Sequence, residues 1–215
     1  MMSVNSLSDA AKLLRDLAAR EARRTQLHEP HIAPLSTFVQ NLRSEVGPDA
    51  AIPDFDPWDG GTEAEVLYLL EAPGRKAIRS GFISRNNPDE TAKNFFELNR
   101  DAGIPRKRTV TWNIVPWYIG TGTRIRAAKP ADIHAGTSSL SRLLTLLPRL
   151  RAIVLIGQKA GHAAELMEQL YPRARIFQSP HPSPLFVNNA PGNRELILGV
   201  LREVRRHLEI RDSAV

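Results

Sequence analysis

The chain contains no cysteine. That absence excludes disulfides, thiolate-ligated zinc and cysteine-held iron–sulfur clusters. Long apolar runs are missing too. The longest, over 66–70 and 152–157, are far too short to cross a bilayer and read as buried strands. No secretory pattern opens the chain, because its first helical stretch is charged throughout, so a cytoplasmic protein with no membrane partner is expected. There is no internal repeat or low-complexity segment, and no Gly-x-Ser-x-Gly, P-loop or Rossmann fingerprint. An α/β hydrolase or a nucleotide-binding protein is therefore disfavoured.

What remains is a chain of 215 residues, 42% hydrophobic, enough for one substantial core. A single domain over 1–215 is expected, with a helical extension over 1–50 and a catalytic core over 51–209. Lysine and arginine outnumber acids by 29 to 23, a net charge of +6. The basic residues cluster at 15–24, 106–108, 124–129, 142–151 and 194–211. Several clusters flank loops, where they suit a phosphate-bearing partner as well as a solvated helix face. The group His28-Glu29-Pro30-His31 lacks a third ligand and its proline breaks helical spacing, so no metal site is expected.

Apolar spacing predicts helices over 8–24, 35–46, 89–102, 130–147, 159–170 and 192–209, with Ser8 as the first N-cap. Strands are predicted over 65–70, 109–115, 152–156 and 174–177, rich in β-branched and aromatic residues. Alternating strands and helices imply a parallel sheet covered on both faces, a three-layer α/β/α sandwich with a mainly parallel four-stranded sheet. In such sheets ligands bind beyond the carboxyl ends of the strands. Those ends carry Glu71, Asn113 and Pro116, Gly157 and Gln158, and His181.

Three stretches stand out there. Leu70-Glu71-Ala72-Pro73-Gly74 follows the first strand, Trp112-Asn113-Ile114-Val115-Pro116 ends the second, and His181-Pro182-Ser183-Pro184-Leu185 follows the fourth. In this order they resemble the motifs of the uracil-DNA glycosylase superfamily, over roughly residues 65–207. The chain looks like an iron-free, mixed-motif member. The branch with Glu-Ala-Pro-Gly generally carries an iron–sulfur cluster on cysteines. The branch with His-Pro-Ser-Pro-Leu usually has aspartate and tyrosine where this chain has Ala72 and Gly74.

The resemblance implies a monomeric enzyme, with no cofactor, that flips uracil out of single- or double-stranded DNA and hydrolyses its glycosidic bond to start base excision repair. His181 would donate to uracil O2 as charge develops there. Asn113 would read N3–H and O4, a pattern cytosine cannot match. Phe82 would stack on the base, and Ala72 and Gly74 would line its pocket. Glu71 would orient the water, with Asp89 or backbone groups of the turn as alternatives. Leu185 would fill the space left in the stack, and Ser183, Pro73 and Gln158 would meet the DNA backbone. Two other readings stay open: a glycosylase for other deaminated or mismatched bases such as hypoxanthine, xanthine or G:T, and a silent binder of lesion or abasic DNA.

Overall fold

The computed structural model describes residues 8–121 and 124–212. The first seven residues of the expected extension lie outside the described residues, as do the side chains of Arg124 and Arg211 from two basic clusters. A 3-10 turn at Leu13–Arg15 leads to helix α1 (Leu17–Arg24) and then α2 (Ala33–Val46). The single helix expected over 8–24 is broken at Asp16. Its backbone is extended, and its carboxylate accepts a hydrogen bond from the Ala18 N–H at 2.8 Å. An aspartate that caps the helix after it cannot also continue the one before it.

Strand β1 (Asp54–Phe55), β2 (Val66–Leu70), helix α3 (Arg75–Ser80), β3 (Phe82–Ile83), α4 (Glu90–Ala102) and β4 (Thr109–Asn113) follow. A short hairpin, β5 (Gly120–Thr121) with β6 (Arg124–Ile125), precedes α5 (Pro130–Thr145) and β7 (Ala152–Ile156). The rest is α6 (Gln158–Gly161), α7 (Ala164–Leu170), β8 (Arg175–Ser179), α8 (Pro184–Val187) and α9 (Asn193–Asp212). The helix expected over 159–170 is thus two helices. Gly161 sits where a Cβ would come within 3.2 Å of Gln178 Oε1, and glycine inside a helix weakens it.

The main sheet has four strands in the order β4-β2-β7-β8, every pair parallel. Period-two alternation sends Leu67, Leu69, Val110, Trp112, Ile153 and Leu155 to one face, against α2, α5 and α7. Val66, Tyr68, Val154, Ile156 and Phe177 go to the other, against α4 and α9. This is the expected α/β/α sandwich. Burying each such aliphatic side chain stabilises by ~1.5–3 kcal/mol. Trp112 anchors the first face, stacked on Phe55 at 4.0 Å with Phe38 edge-on at 6.0 Å. A second, two-stranded sheet pairs β1 with β3 in parallel beside it. Among the described residues no helix is long and apolar enough to cross a membrane.

Candidate active site

Parallel pairing aligns the carboxyl ends of the strands, and a cavity of about 520 Å³ opens there. Glu71 reaches it from the end of β2, Asn113 from the end of β4 and His181 from the loop after β8. Three residues far apart in sequence thus share one wall system. Ala72, Pro73 and Gly74 line the same cavity, as does the loop after β3 through Ser84, Arg85 and Asn87.

Asn113 is 3% exposed and its Nδ2 has no hydrogen-bond partner among the described residues. A buried amide donor left unpaired is costly, which suits a group that waits for a ligand. His181 is half-buried, and burial pushes its imidazole below the ordinary value. The nearby carboxylates of Glu71 and Asp89 pull the other way without restoring it. A lowered value favours the neutral ring.

Its position depends on two neighbours. Gly157, with φ of 88°, lets the His181 ring pack where any Cβ would stand 3.3 Å from His181 Cβ. Asn94 of α4 donates through Nδ2 to the Pro182 carbonyl at 3.0 Å and so ties down the loop. Glu71 is half-buried and accepts the Ala128 N–H at 2.6 Å through Oε1. One carboxylate oxygen thereby holds the segment that brings Arg126 and Ala127 to the cavity. Asp89 also lines the cavity, while its Oδ1 caps α4 through the Ala92 N–H at 2.9 Å.

Phe82 is a correction. It does not line the cavity; its ring is 1% exposed and packs against Leu14 and Ala19. Successive residues of a strand point to opposite sides, and in β3 it is Ile83 that faces the cavity. Phe95 of α4 supplies an aromatic ring to the lining instead. Leu185 lies in α8, is 84% exposed and does not line the cavity. Ser183 caps α8, its hydroxyl accepting the Phe186 N–H at 3.3 Å. Gln158 begins α6, is exposed and does not line the cavity.

The wall carrying Ser84–Asn87 is held from behind by a buried ionic network that sequence reading missed. Arg23 pairs with Asp56 at 2.7 Å, and Arg106 bridges Asp56 at 2.6 Å and Asp59 at 2.8 Å. Ser84 donates to Asp56, and Arg23 reaches Asn86 Oδ1 at 3.1 Å. Burial pushes Asp56 up, but Arg106 and Arg23 outweigh it and hold the carboxyl below the ordinary range. Burial dominates at Asp59, which is raised. Trp58 lies under the Arg23 guanidinium at 3.3 Å. Asp56 and Asp59 lie close together in the sequence, but nothing local tells which arginines would meet them. Thr111 could have been found, since it precedes Asn113 by two residues and shares its face.

Fold and cavity together define an α/β/α protein with a cavity at the carboxyl edge of a parallel sheet. The family model of the uracil DNA glycosylase superfamily matches residues 57–205, and the chain belongs to that superfamily. Its fold is similar to the solution structure of a candidate uracil DNA glycosylase from Methanosarcina acetivorans, with a TM-score of 0.47 and 18% identity over 67% of this chain and 92% of that one. It is also similar to the crystal structure of mimivirus uracil-DNA glycosylase, with a TM-score of 0.42 and 15% identity over 88% of this chain and 81% of that one. No curated protein matches the sequence.

Proposed function

We propose that the protein is a monofunctional uracil-DNA glycosylase that acts as a monomer in the cytoplasm. The observation that carries this reading is the convergence of His181, Asn113 and Glu71 on one cavity at the sheet's carboxyl edge. In the reaction a water oxygen bonds to C1′ of the deoxyribose as the C1′–N1 bond breaks. The bonding pair leaves with the base, which becomes an anion, and the water's proton passes to solvent or to the departing base. No oxidant or reductant is needed.

His181 donates to the oxygen where the negative charge gathers. A fixed donor in a water-poor cleft acts mainly on the transition state. Asn113 reads the N3–H and O4 edge, and its unpaired Nδ2 finds an acceptor in O4. Glu71 uses Oε1 to hold Ala128, which leaves Oε2 for orienting water and facing the cationic sugar. Asp89 is the alternative acid. Exposed Leu185 enters the stack where the base has left, and Ser183 and the backbone of Ala72–Gly74 meet phosphates. The exposed cations Arg75 and Lys76 at the mouth extend that contact.

The test is an oligonucleotide carrying one uracil, incubated with purified protein without added metal. An alkali-labile abasic site is expected, and His181→Ala and Asn113→Ala should each slow its formation roughly 100-fold or more. Uracil DNA that stays intact would refute the proposal.

A further inference from the structure

We infer that residues 9–24 are a working part of the site: they fix the cavity wall over 84–87, with Arg23 and Asn86 as its positioning residues. This rests on the glycosylase reading and adds to it a role for the segment that precedes the matched residues 57–205.

Residues 84–89 belong to no helix or strand, so the side chains behind them set where the wall stands. Ser84, Arg85 and Asn87 line the cavity that His181 and Asn113 share. Asn86 does not line it and is 0% exposed. Its N–H donates to Ser84 Oγ at 2.9 Å, and its carbonyl accepts the Leu14 N–H at 3.0 Å. Its Nδ2 donates to Asp9 Oδ1 at 2.8 Å and to the Ala10 carbonyl at 2.6 Å. Its Oδ1 accepts from Arg23 Nη2 at 3.1 Å and from Arg106 Nη1. Four of those six partners, Asp9, Ala10, Leu14 and Arg23, come from the N-terminal segment. Phe82, at the foot of the same wall, packs on Leu14 and Ala19 of that segment.

Arg23 holds the wall at two points. Its Nη1 lies 2.7 and 2.9 Å from the two oxygens of Asp56, which in turn accepts from Ser84 Oγ, while its Nη2 reaches Asn86. A guanidinium is a rigid planar fork, and a lysine ammonium on its flexible stem does not reproduce both contacts. Arg23 is 1% exposed, so a bond lost here leaves a buried group unpaired instead of passing it to water. The wall then shifts to satisfy that group, and the base it encloses loses its alignment with His181 and Asn113.

The experiment compares Arg23→Lys with Glu65→Gln in the full chain. Glu65 precedes β2 at the amino end of the sheet, pairs with Arg108 at 2.7 Å and Arg151 at 2.7 Å, and does not line the cavity. It therefore reports the loss of charge pairing without disturbing the wall. Single-turnover excision of uracil at saturating protein, affinity for the same duplex without uracil, and melting temperature are read on each, with excision measured well below either melt. Arg23→Lys should slow excision about ten-fold, a wall displacement of about half an ångström at ~100-fold per ångström. Its affinity for uracil-free DNA should be unchanged, because that DNA places no base in the cavity. Glu65→Gln should excise at the native rate. Asp9→Ala, at an exposed position, decides the matter should Arg23→Lys fail to fold. It removes one acceptor from Asn86 and should slow excision about three-fold, and Asp9→Asn, which keeps that acceptor, should restore the rate. A native rate in Arg23→Lys, an equal loss in Glu65→Gln, or a matching fall in affinity for uracil-free DNA overturns the inference. So does an Asp9→Asn no faster than Asp9→Ala. Each of these leaves the glycosylase reading standing, whereas native protein that excises no uracil overturns both.

Discussion

Replacing Gly157 with alanine should slow base release more than it destabilises the fold, and Gly47 provides the matched control. The two glycines share an unusual backbone, φ 88° and ψ 161° at Gly157, φ 100° and ψ 170° at Gly47. Alanine in that region costs ~1–3 kcal/mol. For a chain of this length that lowers the melting temperature by roughly 2–12 °C in either variant. The difference lies in what the new methyl meets. At 157 it would stand 3.3 Å from His181 Cβ and 3.4 Å from Cδ2, whereas at 47 no atom of the described residues lies within 4 Å. Relief of that contact moves the imidazole by a few tenths of an ångström. Scaling from ~100-fold per ångström of misplacement, the rate should fall roughly four- to ten-fold. Single-turnover excision and thermal melting, run on both variants, separate the two effects. Equal rate losses in both, or none in Gly157→Ala despite a lower melting temperature, would show that His181's placement does not govern the reaction.

Titration of His181 by NMR should give a value below its ordinary 6.5, because burial outweighs the carboxylates, and Glu71→Gln or Asp89→Asn should lower it further. A value at or above 6.5 would contradict the buried site. The unfolded chain then takes up the proton first, so this group's contribution to stability is present above about pH 6.5 and erodes as pH falls through the folded value. Asp56→Asn should destabilise by ~3–5 kcal/mol in a thermal melt, since it leaves Arg23 and Arg106 buried with one counter-charge fewer. A loss under ~1 kcal/mol would mean the network contributes little. Arg75→Ala and Lys76→Ala should each flatten the dependence of log affinity for DNA on log salt by about one. An unchanged slope would place the phosphates elsewhere.

The layers and the three converging residues were legible because they rest on local pattern. Continuous apolar runs mark the strands over 66–70 and 152–156, alternation marks the one over 109–113, and parallel order puts whatever follows them on one edge. Glu71, Asn113 and His181 could be assigned to that edge from position alone. Phe82 could not be placed this way. Its strand has two residues, too few for a period, and only the packing of Leu14 and Ala19 decides which of Phe82 and Ile83 turns inward. Arg85 was hidden for a similar reason. A lone arginine in a polar loop reads as solvated until the fold lays it beside Thr109 and Tyr68. The break at Asp16 was hidden by an apolar spacing that runs through it, although an aspartate is a good helix start.

Each pairing in the main sheet joins strands separated in sequence by at least one helix, and β8, the last to occur, precedes the loop that carries His181. Long-range pairings of this kind form slowly, because loop closure must come before the contacts reward it. A sheet that has not yet paired β8 has an amide and a carboxylate at its rim but no imidazole held against them. On the glycosylase proposal, base release would then require the finished architecture.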